Sequence, residues 1–256
     1  MAEAGSRRFE GRTAIVTGAG TGVGRATALA LAREGARVIV ANRRADAGES
    51  AVAAIEALGG EAFYVQTDVA RRESVQGLVE AALARYDRID ILINNAGVLG
   101  PMAPTADVTE EQWDEVMDIN LKGAWLCMKY AIPAMVRQRR GVIINVASSA
   151  NLRTYPYLSA YSASKAGMLG MTRVAAAEYA KAGILVKALC LGAVRTPMIE
   201  PGIKHAGNEA LLDSMHAVGR IAEPEEVGEA IVWLCSDQAS FVVGPALNMT
   251  GGTELL

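Results

Sequence analysis

The sequence is poor in the residues that build disulfide and zinc frameworks, with three cysteines and two histidines among 256 residues. Cys127, Cys190 and Cys235 are odd in number, lie far apart and stand in apolar surroundings. We therefore expect buried free thiols in a reducing compartment. His205 and His216 have no cysteine at ligand spacing, which argues against a structural zinc site, and we predict no bound metal.

Long apolar runs and concentrated charge are also lacking. No run reaches the roughly 20 residues that a helix needs to span a bilayer. Residues 1–10 have no apolar core of the signal-peptide kind and are predicted to be a polar tail. The net charge is -3 and the basic residues are scattered, which argues against a nucleic-acid patch. We expect a cytoplasmic protein with no membrane or nucleic-acid partner.

The sequence does contain a regular alternation of short apolar runs and segments of helical periodicity. This pattern predicts an α/β fold, with a parallel sheet covered by helices on both faces, in a single domain over residues 11–256. The predicted strands are 12–17, 37–41, 62–66, 89–94, 141–147, 184–189 and 246–249. The predicted helices are 25–34, 45–58, 71–85, 109–138, 159–181 and 224–236. Residues 197–220 fit neither pattern and are predicted to be a flexible, partly helical insert.

The long predicted helix 109–138 carries two local signals. Thr109 and Gln112 have the spacing of a capping box at its start, and Pro133 is placed to bend it.

The first predicted strand is followed by the glycine turn Gly18-x-x-x-Gly22-x-Gly24 and then by a helix. Glycines there let backbone amides approach a pyrophosphate at the positive end of the helix. The alternative is that they only allow tight packing of the helix against the strand. We favour the phosphate site.

Unusual polar and glycine positions follow six of the predicted strands. Ligands of an open parallel sheet bind beyond the carboxyl ends of its strands, so these positions are expected to meet at one edge. They are residues 18–24, Asn42 and Arg43, Asp68 and Val69, residues 94–97, Ser148, and residues 192–196. Their convergence predicts a nucleotide-binding enzyme.

Tyr161 and Lys165 are separated by one helical turn, and Ser148 precedes them at the end of a strand. Residues at i and i+4 lie on one face of a helix. A neighbouring ammonium favours the phenolate, so the pair predicts a general acid/base whose pKa lies below the usual value of about 10. The same spacing also arises by chance, as a partly buried ring beside a solvated lysine.

Taken together, these residues resemble the classical short-chain dehydrogenase/reductase family from about Phe9 to Gly252. The matching positions are residues 17–24, Asp68, residues 94–97, Asn120, Ser148, Tyr161, Lys165 and Thr196. The resemblance implies a Rossmann-type, doubly wound sheet of seven parallel strands and a nicotinamide dinucleotide cofactor. It also implies hydride transfer between an alcohol and a carbonyl, and a homotetramer built on the helices around 109–138 and 159–181.

The resemblance assigns catalytic roles to four residues. Tyr161 would donate a proton to the carbonyl oxygen or remove it in oxidation, and Ser148 would orient that oxygen. Lys165 would hold the nicotinamide ribose hydroxyls and lower the pKa of the tyrosine. Asn120 would bind a water that links Lys165 to solvent; the alternative is that it satisfies backbone groups in an interrupted helix.

The resemblance also implies a cofactor surface, formed by Gly18, Thr21, Gly22, Val23, Gly24, Asn42, Arg43, Asp68, Val69, Asn95, Ala96, Gly97, Tyr161, Lys165, Gly192, Val194 and Thr196. Asp68 would accept from the adenine amino group, or else cap a helix. An acidic residue at the end of the second strand would accept a hydrogen bond from a ribose 2′-hydroxyl and repel a 2′-phosphate. This chain has the neutral Asn42 there, followed by Arg43. This favours NADP(H) over NAD(H).

The chain departs from the family pattern at three positions. Where relatives commonly read Asn-x-x-x-Pro-Gly after the sixth strand, this chain has Lys187 and Leu191 before Gly192, and Thr250 replaces an aspartate before two glycines. We expect a looser turn under the nicotinamide, because the proline no longer fixes φ. We also expect a weaker grip on the cofactor, because Lys187 places a charge on an otherwise apolar strand.

The expected substrate pocket is apolar with few charges. It comprises Ala150, Leu152, Tyr155, Tyr157, Ala193, Met198, Ile199, His205, Leu211 and Met215. We predict an NADP(H)-dependent enzyme for a neutral ketone, aldehyde or alcohol, cyclic ones included; an inward-facing Arg153 would instead admit an anion. The alternatives are an NAD-dependent secondary-alcohol dehydrogenase and a dinucleotide-binding sensor or scaffold with little turnover.

Overall fold

The computed structural model describes residues 7–200 and 209–255. Its strands are β1 (Thr13–Thr17), β2 (Arg37–Asn42), β3 (Glu61–Gln66), β4 (Ile91–Asn94), β5 (Gly141–Ser148), β6 (Ile184–Leu191) and β7 (Gly244–Met249). They form one parallel sheet in the order β3-β2-β1-β4-β5-β6-β7. The predicted seven-stranded parallel sheet is confirmed. The strand order changes direction between β1 and β4, which is where such sheets open a crevice for a ligand.

The helices of the described residues are α1 (Gly22–Arg33), α2 (Ala45–Glu56), α3 (Arg72–Tyr86), α4 (Glu110–Met117), α5 (Gly123–Gln138), α6 (Ser159–Tyr179), α7 (Glu209–Ser214) and α8 (Pro224–Cys235). Helix α7 lies within the predicted insert. The neighbouring residues 201–208, which include His205, lie outside the described part. None of the described helices is long and apolar enough to cross a membrane.

The sheet is buried between two helical layers. All five residues of β1 are buried, as expected for a strand covered on both faces. On one face α1 packs against α8 so closely that a side chain at Gly228 would lie 3.1 Å from the Ala26 backbone. On the other face α3 and α5 cover the sheet, with Leu78 and Met135 fully or almost fully buried. The crevice at the carboxyl ends therefore stands on a rigid base.

The predicted long helix is divided into α4 and α5, so it is interrupted near Asn120 as one interpretation of that residue expected. The capping box of Thr109 and Gln112 is confirmed. Pro133 lies within α5, however, while the interruption is a π-helical turn over Asp118–Lys122. The buried Asn120 in this turn is bonded to another segment of the chain, and π-turns within α-helices often mark functional sites.

Two further expectations are corrected. The end of the predicted polar tail is packed, because Phe9 is fully buried and Arg8 pairs with Glu34 at 2.7 Å. Lys187 is also buried, but its ammonium group is bound at the end of α8. Its Nζ donates to the carbonyls of Leu234 at 2.6 Å and Ala239 at 2.7 Å, at and just beyond the end of α8. The lysine is thus a core cap rather than a disturbance of the cofactor site.

Candidate active site

The glycine turn is shaped by positions that exclude side chains. Gly18 and Gly22 have φ of 64° and 52°, in the left-handed region that glycine adopts without strain. A Cβ at Gly24 would collide with the carbonyl oxygen of Gly18. A Cβ at Gly22 would lie 3.0 Å from Thr196 Cγ2. The turn after β1 therefore faces the segment after β6 across the crevice.

The start of α1 is suited to an anion. Thr21 is the N-cap residue, its side chain makes no capping hydrogen bond, and the first turn holds no acidic residue. The first amides of a helix lack partners within the helix and lie at its positive end. These features, with the glycine cradle, fit the diphosphate of a dinucleotide.

The segment after β4 is braced against the glycine turn. The amides of Asn95 and Ala96 donate to Thr17 Oγ1 at 3.0 and 3.1 Å, and Asn95 Nδ2 donates to the Thr17 carbonyl at 2.9 Å. A Cβ at Gly18 would lie 3.0 Å from Ala96 Cα. The side-chain amide of Asn95 thus serves the scaffold.

The end of β2 carries no acid. Asn42 Nδ2 donates to the Arg44 carbonyl at 2.8 Å and would lie 2.7 Å from a Cβ at Gly20, so Asn42 borders the glycine turn. Arg43 and Arg44 are exposed.

Asp68 closes a turn and does not cap a helix. Its Oδ1 accepts from the amide of Ala70 at 3.1 Å, and its own amide donates to Ser74 Oγ at 2.9 Å. The N-cap of α3 is Arg71, so the capping alternative is wrong. The neighbouring Val69 is buried and would touch a Cβ at Gly123 at 2.9 Å.

Asn120 connects the interrupted helix to the segment after β4. Its Oδ1 accepts from the amide of Val98 at 2.8 Å, while its Nδ2 donates to the Val98 carbonyl at 2.9 Å and to Ser164 Oγ at 3.1 Å. The interpretation that Asn120 satisfies backbone groups is confirmed. A Cβ at Gly97 would lie 3.2 Å from Asn120 Oδ1 and 3.7 Å from Lys165 Nζ, so these groups are neighbours.

Lys165 is buried on α6 and lies beside Tyr161. Its Nζ donates to the Val146 carbonyl at 2.7 Å and lies 5.8 Å from the centroid of the Tyr161 ring. Burial lowers the pKa of Lys165 to about 8. The helical spacing thus brings the two side chains together as expected.

Burial raises the pKa of Tyr161, and a hydrogen bond with Ser148 opposes the rise. The expected direction is therefore reversed in this arrangement, because burial disfavours the charged phenolate. Ser148 is buried at the end of β5, and its Oγ accepts from the amide of Ala150 at 3.1 Å. Its hydroxyl proton is therefore free to be donated toward the tyrosine or a substrate oxygen.

Arg153 and Thr253 connect the segments after β5, around α7 and after β7. Arg153 Nη1 lies 3.3 Å from the carbonyl of Thr253, and Thr253 Oγ1 donates to the carbonyl of Met215 at 2.7 Å. Arg153 thus turns toward the C-terminal segment. Tyr155 hydrogen-bonds Ser149 at 2.9 Å. Among the expected pocket residues, Leu152, Tyr157, Met198 and Leu211 are exposed; Ala150, Ala193, Ile199 and Met215 are partly buried.

Sequence reasoning missed three residues of the site. The Oγ of Ser164 accepts from Asn120 Nδ2 and donates to the Tyr161 carbonyl at 2.7 Å. The position of Ser164 between Tyr161 and Lys165 in the sequence is a signal that could have identified it. Cys190 is buried on β6, and burial raises the pKa of its thiol. The positive charge of Lys165 opposes this rise. His216 accepts the amide of Ala193 at 3.0 Å. Neither Cys190 nor His216 stands in a motif.

Comparisons with known proteins agree with this geometry. A family model described as enoyl-(acyl carrier protein) reductase matches residues 18–254. The 2,5-dichloro-2,5-cyclohexadiene-1,4-diol dehydrogenase of Sphingobium indicum is 46% identical over 246 residues, with 95% of this chain and 97% of the relative covered. Cyclohexanol dehydrogenase of an Acinetobacter species is 37% identical, with 96% of each chain covered. The crystal structure of levodione reductase superposes with a TM-score of 0.93 at 33% identity, covering 97% of this chain and 99% of that one.

Proposed function

Because the chain belongs to the short-chain dehydrogenase/reductase family, we propose that it interconverts a neutral cyclic secondary alcohol and its ketone, with Tyr161 as the general acid/base. The coarser activity follows from the family: the protein is an NAD(P)-dependent oxidoreductase acting on CH–OH groups. The observation that carries the proposal is the cluster of Ser148, Tyr161, Lys165 and Asn120 at the edge that also holds the glycine turn.

The proton chemistry follows from the positions of these side chains. The raised pKa keeps Tyr161 protonated at neutral pH, so in reduction its hydroxyl donates to the carbonyl oxygen. Ser148 donates a hydrogen bond to the same oxygen and stabilises the charge that develops there. In oxidation Tyr161 must first lose its proton, so the oxidative rate should increase with pH.

Asn120 is proposed to hold one water of a proton relay that starts at Lys165. Both Nδ2 hydrogens are already donated, and Oδ1 has accepted one hydrogen bond. An amide oxygen has two lone pairs, so the relay water must donate to the remaining one. We propose that this water lies on the side of Gly97 and Lys165, which border the Asn120 amide oxygen.

The residues present fit a nicotinamide dinucleotide, which supplies or accepts the hydride when bound. The glycine turn and the first amides of α1 hold the diphosphate, and Lys165 holds the nicotinamide ribose. Asp68 and Val69 are proposed to meet the adenine, and Gly192, Val194 and Thr196 the carboxamide. Asn95, Ala96 and Gly97 line the adenosine ribose through their backbone, since the Asn95 amide is engaged elsewhere.

We propose NADP(H) as the preferred cofactor, on the ground that the exposed Arg43 guanidinium follows a neutral residue at the end of β2. A guanidinium suits a 2′-phosphate, whereas an acid would repel it. One observation favours NAD(H) as the second candidate: with Asn42 Nδ2 bound to Arg44, its amide oxygen remains to accept a 2′-hydroxyl.

Titration with NADPH and NADH, followed by nicotinamide fluorescence, tests the cofactor. We expect tighter binding of NADPH, and Arg43→Gln should weaken NADPH about tenfold or more while leaving NADH unchanged. Arg44→Gln is the matched control and should preserve the preference. A wild-type preference for NADH would overturn the NADP(H) proposal in favour of the oxidative, NAD-dependent alternative.

Steady-state kinetics with cyclohexanol and an open-chain secondary alcohol test the substrate class. The names of the two curated relatives, both dehydrogenases of six-membered ring alcohols, support the cyclic substrate. Tyr161→Phe should reduce kcat at least about a hundredfold. Tyr179→Phe, on the same helix with its ring packed against the core, is the control and should retain activity. Full activity of Tyr161→Phe would contradict the mechanism.

The helices predicted to build the tetramer expose large apolar side chains. Trp125 and Val136 on α5 are 45% and 38% exposed, and Val174 on α6 is 58% exposed. We propose that these faces are covered in a homotetramer, to be checked by light scattering after gel filtration.

The three buried, free cysteines support the proposed cytoplasmic location.

A further inference from the structure

We infer that His216 is a positioning residue that fixes the turn after β6 and so shapes the binding surface for the nicotinamide end of the dinucleotide; the inference rests on the proposed function. His216 belongs to the segment on the substrate side, whereas the turn at Gly192 and Ala193 belongs to the proposed cofactor surface. One imidazole therefore connects the two.

The imidazole is buried and satisfied at both nitrogens. Nε2 accepts from the amide of Ala193 at 3.0 Å, and Nδ1 lies 2.8 Å from the carbonyl oxygen of Leu212. A carbonyl oxygen only accepts and a backbone amide only donates, so Nδ1 carries the proton and Nε2 is the acceptor. This single neutral tautomer joins the α7 segment to the turn.

The space around the imidazole leaves it little room to move. A Cβ at Gly192 would lie 2.9 Å from His216 Nε2 and 2.8 Å from the Thr250 carbonyl oxygen. A Cβ at Gly251 would lie 3.3 Å from His216 Cδ2. The ring thus fills the gap between the turn after β6 and the turn after β7, and it needs glycine on both sides.

The hydrogen bond between the Ala193 amide and His216 lies in a turn that lacks the proline common in relatives. Leu191 stands where relatives commonly have the proline that precedes Gly192, and leucine does not fix φ. The turn is held instead from outside, since the Gly192 amide donates to the Met249 carbonyl at 3.1 Å and the Ala193 amide donates to His216. The expected loosening of this turn is opposed by the histidine.

The turn leads directly to residues of the proposed carboxamide clasp. Val194 is buried and pairs with Ala222, and Thr196 lies against Gly22 of the glycine turn. A shift at Ala193 would be passed along this short segment to both residues. Loss of the imidazole should therefore weaken contacts with nicotinamide more than contacts with the adenosine end.

Binding of two ligands separates this role from a general structural one. NADPH and 2′-phospho-ADP-ribose share every group except the nicotinamide, so their affinities for wild type and His216→Phe can be compared by calorimetry. We expect His216→Phe to weaken NADPH about tenfold, the effect of losing a buried hydrogen bond, and to leave 2′-phospho-ADP-ribose unchanged. Ser214→Ala, which removes an exposed hydrogen bond in the same segment, is the matched control and should bind both ligands as wild type does.

A second pair of variants keeps the test valid if His216→Phe does not fold. The glutamine of His216→Gln can place an acceptor near the Nε2 position and should bind NADPH almost as wild type does. The asparagine of His216→Asn is too short to reach the Ala193 amide and should show the nicotinamide-specific loss. Equal NADPH affinity in wild type and His216→Asn, or equal weakening of both ligands, would overturn the inference. If wild type bound only NADH and ADP-ribose, the same comparison would be made with that pair; if it bound no dinucleotide, the proposed function itself would fail.

Discussion

Replacement of Asn120 by alanine should destabilise the protein far more than an ordinary asparagine substitution. The side chain is fully buried and makes three hydrogen bonds, two of them to the backbone of Val98. Removing it leaves the Val98 amide and carbonyl without these partners, at about 1–3 kcal/mol for each buried group. We expect a loss of about 2–5 kcal/mol, because part of this cost is recovered if water enters the gap.

The loss can be measured as a change in the thermal unfolding midpoint. For a chain of this size about 1 kcal/mol corresponds to roughly 2–4 °C, so Asn120→Ala should unfold about 5–15 °C below wild type. Asn120→Asp should not rescue it, because a carboxylate can accept from the Val98 amide but cannot donate to the Val98 carbonyl or to Ser164. Asn248→Ala, at an exposed position on β7, is the control and should change stability by less than about 0.5 kcal/mol. A midpoint for Asn120→Ala within 2 °C of wild type, taken as roughly the effect of 1 kcal/mol or less, would refute the reasoning.

Three further outcomes follow from the site. Gly24→Ala should reduce dinucleotide affinity by at least about tenfold, because its Cβ meets the Gly18 carbonyl oxygen and the turn must open; unchanged affinity in calorimetry would contradict the cradle. In the protein without dinucleotide the Tyr161 phenol should titrate above the ordinary pKa of about 10, because burial disfavours the phenolate. The difference in ultraviolet absorbance between wild type and Tyr161→Phe from about pH 8 to 12 measures this titration. A tyrosine that titrates below about pH 9 and is absent from Tyr161→Phe would contradict the raised pKa. Lys187→Ala should lower the unfolding midpoint, because the buried carbonyls of Leu234 and Ala239 lose their donor, without changing dinucleotide affinity; a changed affinity would return Lys187 to the cofactor site.

The sheet and the site edge could be predicted because they depend on local patterns. Apolar runs marked the strands, glycines marked the phosphate turn, and helical spacing paired Tyr161 with Lys165. In each case the information lies within a few neighbouring residues, and the parallel sheet then places the strand ends together. The carboxyl edge was therefore predicted without knowledge of long-range contacts.

The features that the sequence does not predict depend on contacts between distant segments. Lys187 finds its carbonyls beyond α8, and Asn120 finds its partners after β4. The pKa of Tyr161 depends on how deeply the fold buries the ring, which spacing alone does not reveal. The role of His216 does not follow from the sequence, because its hydrogen-bond partner, the Ala193 amide, lies 23 positions away.

The junction of Arg153, Met215 and Thr253 has a consequence for evolution and engineering. These residues come from the segments after β5, around α7 and after β7, and they are joined by bonds to backbone carbonyls. Because the acceptor on the α7 side is a backbone carbonyl, this segment can be exchanged for that of a relative and stay anchored, provided that Arg153 and Thr253 are kept. Substrate preference should therefore change more readily by exchange of the residues around α7 than by replacement of Arg153 or Thr253, which carry the side-chain donors of the junction.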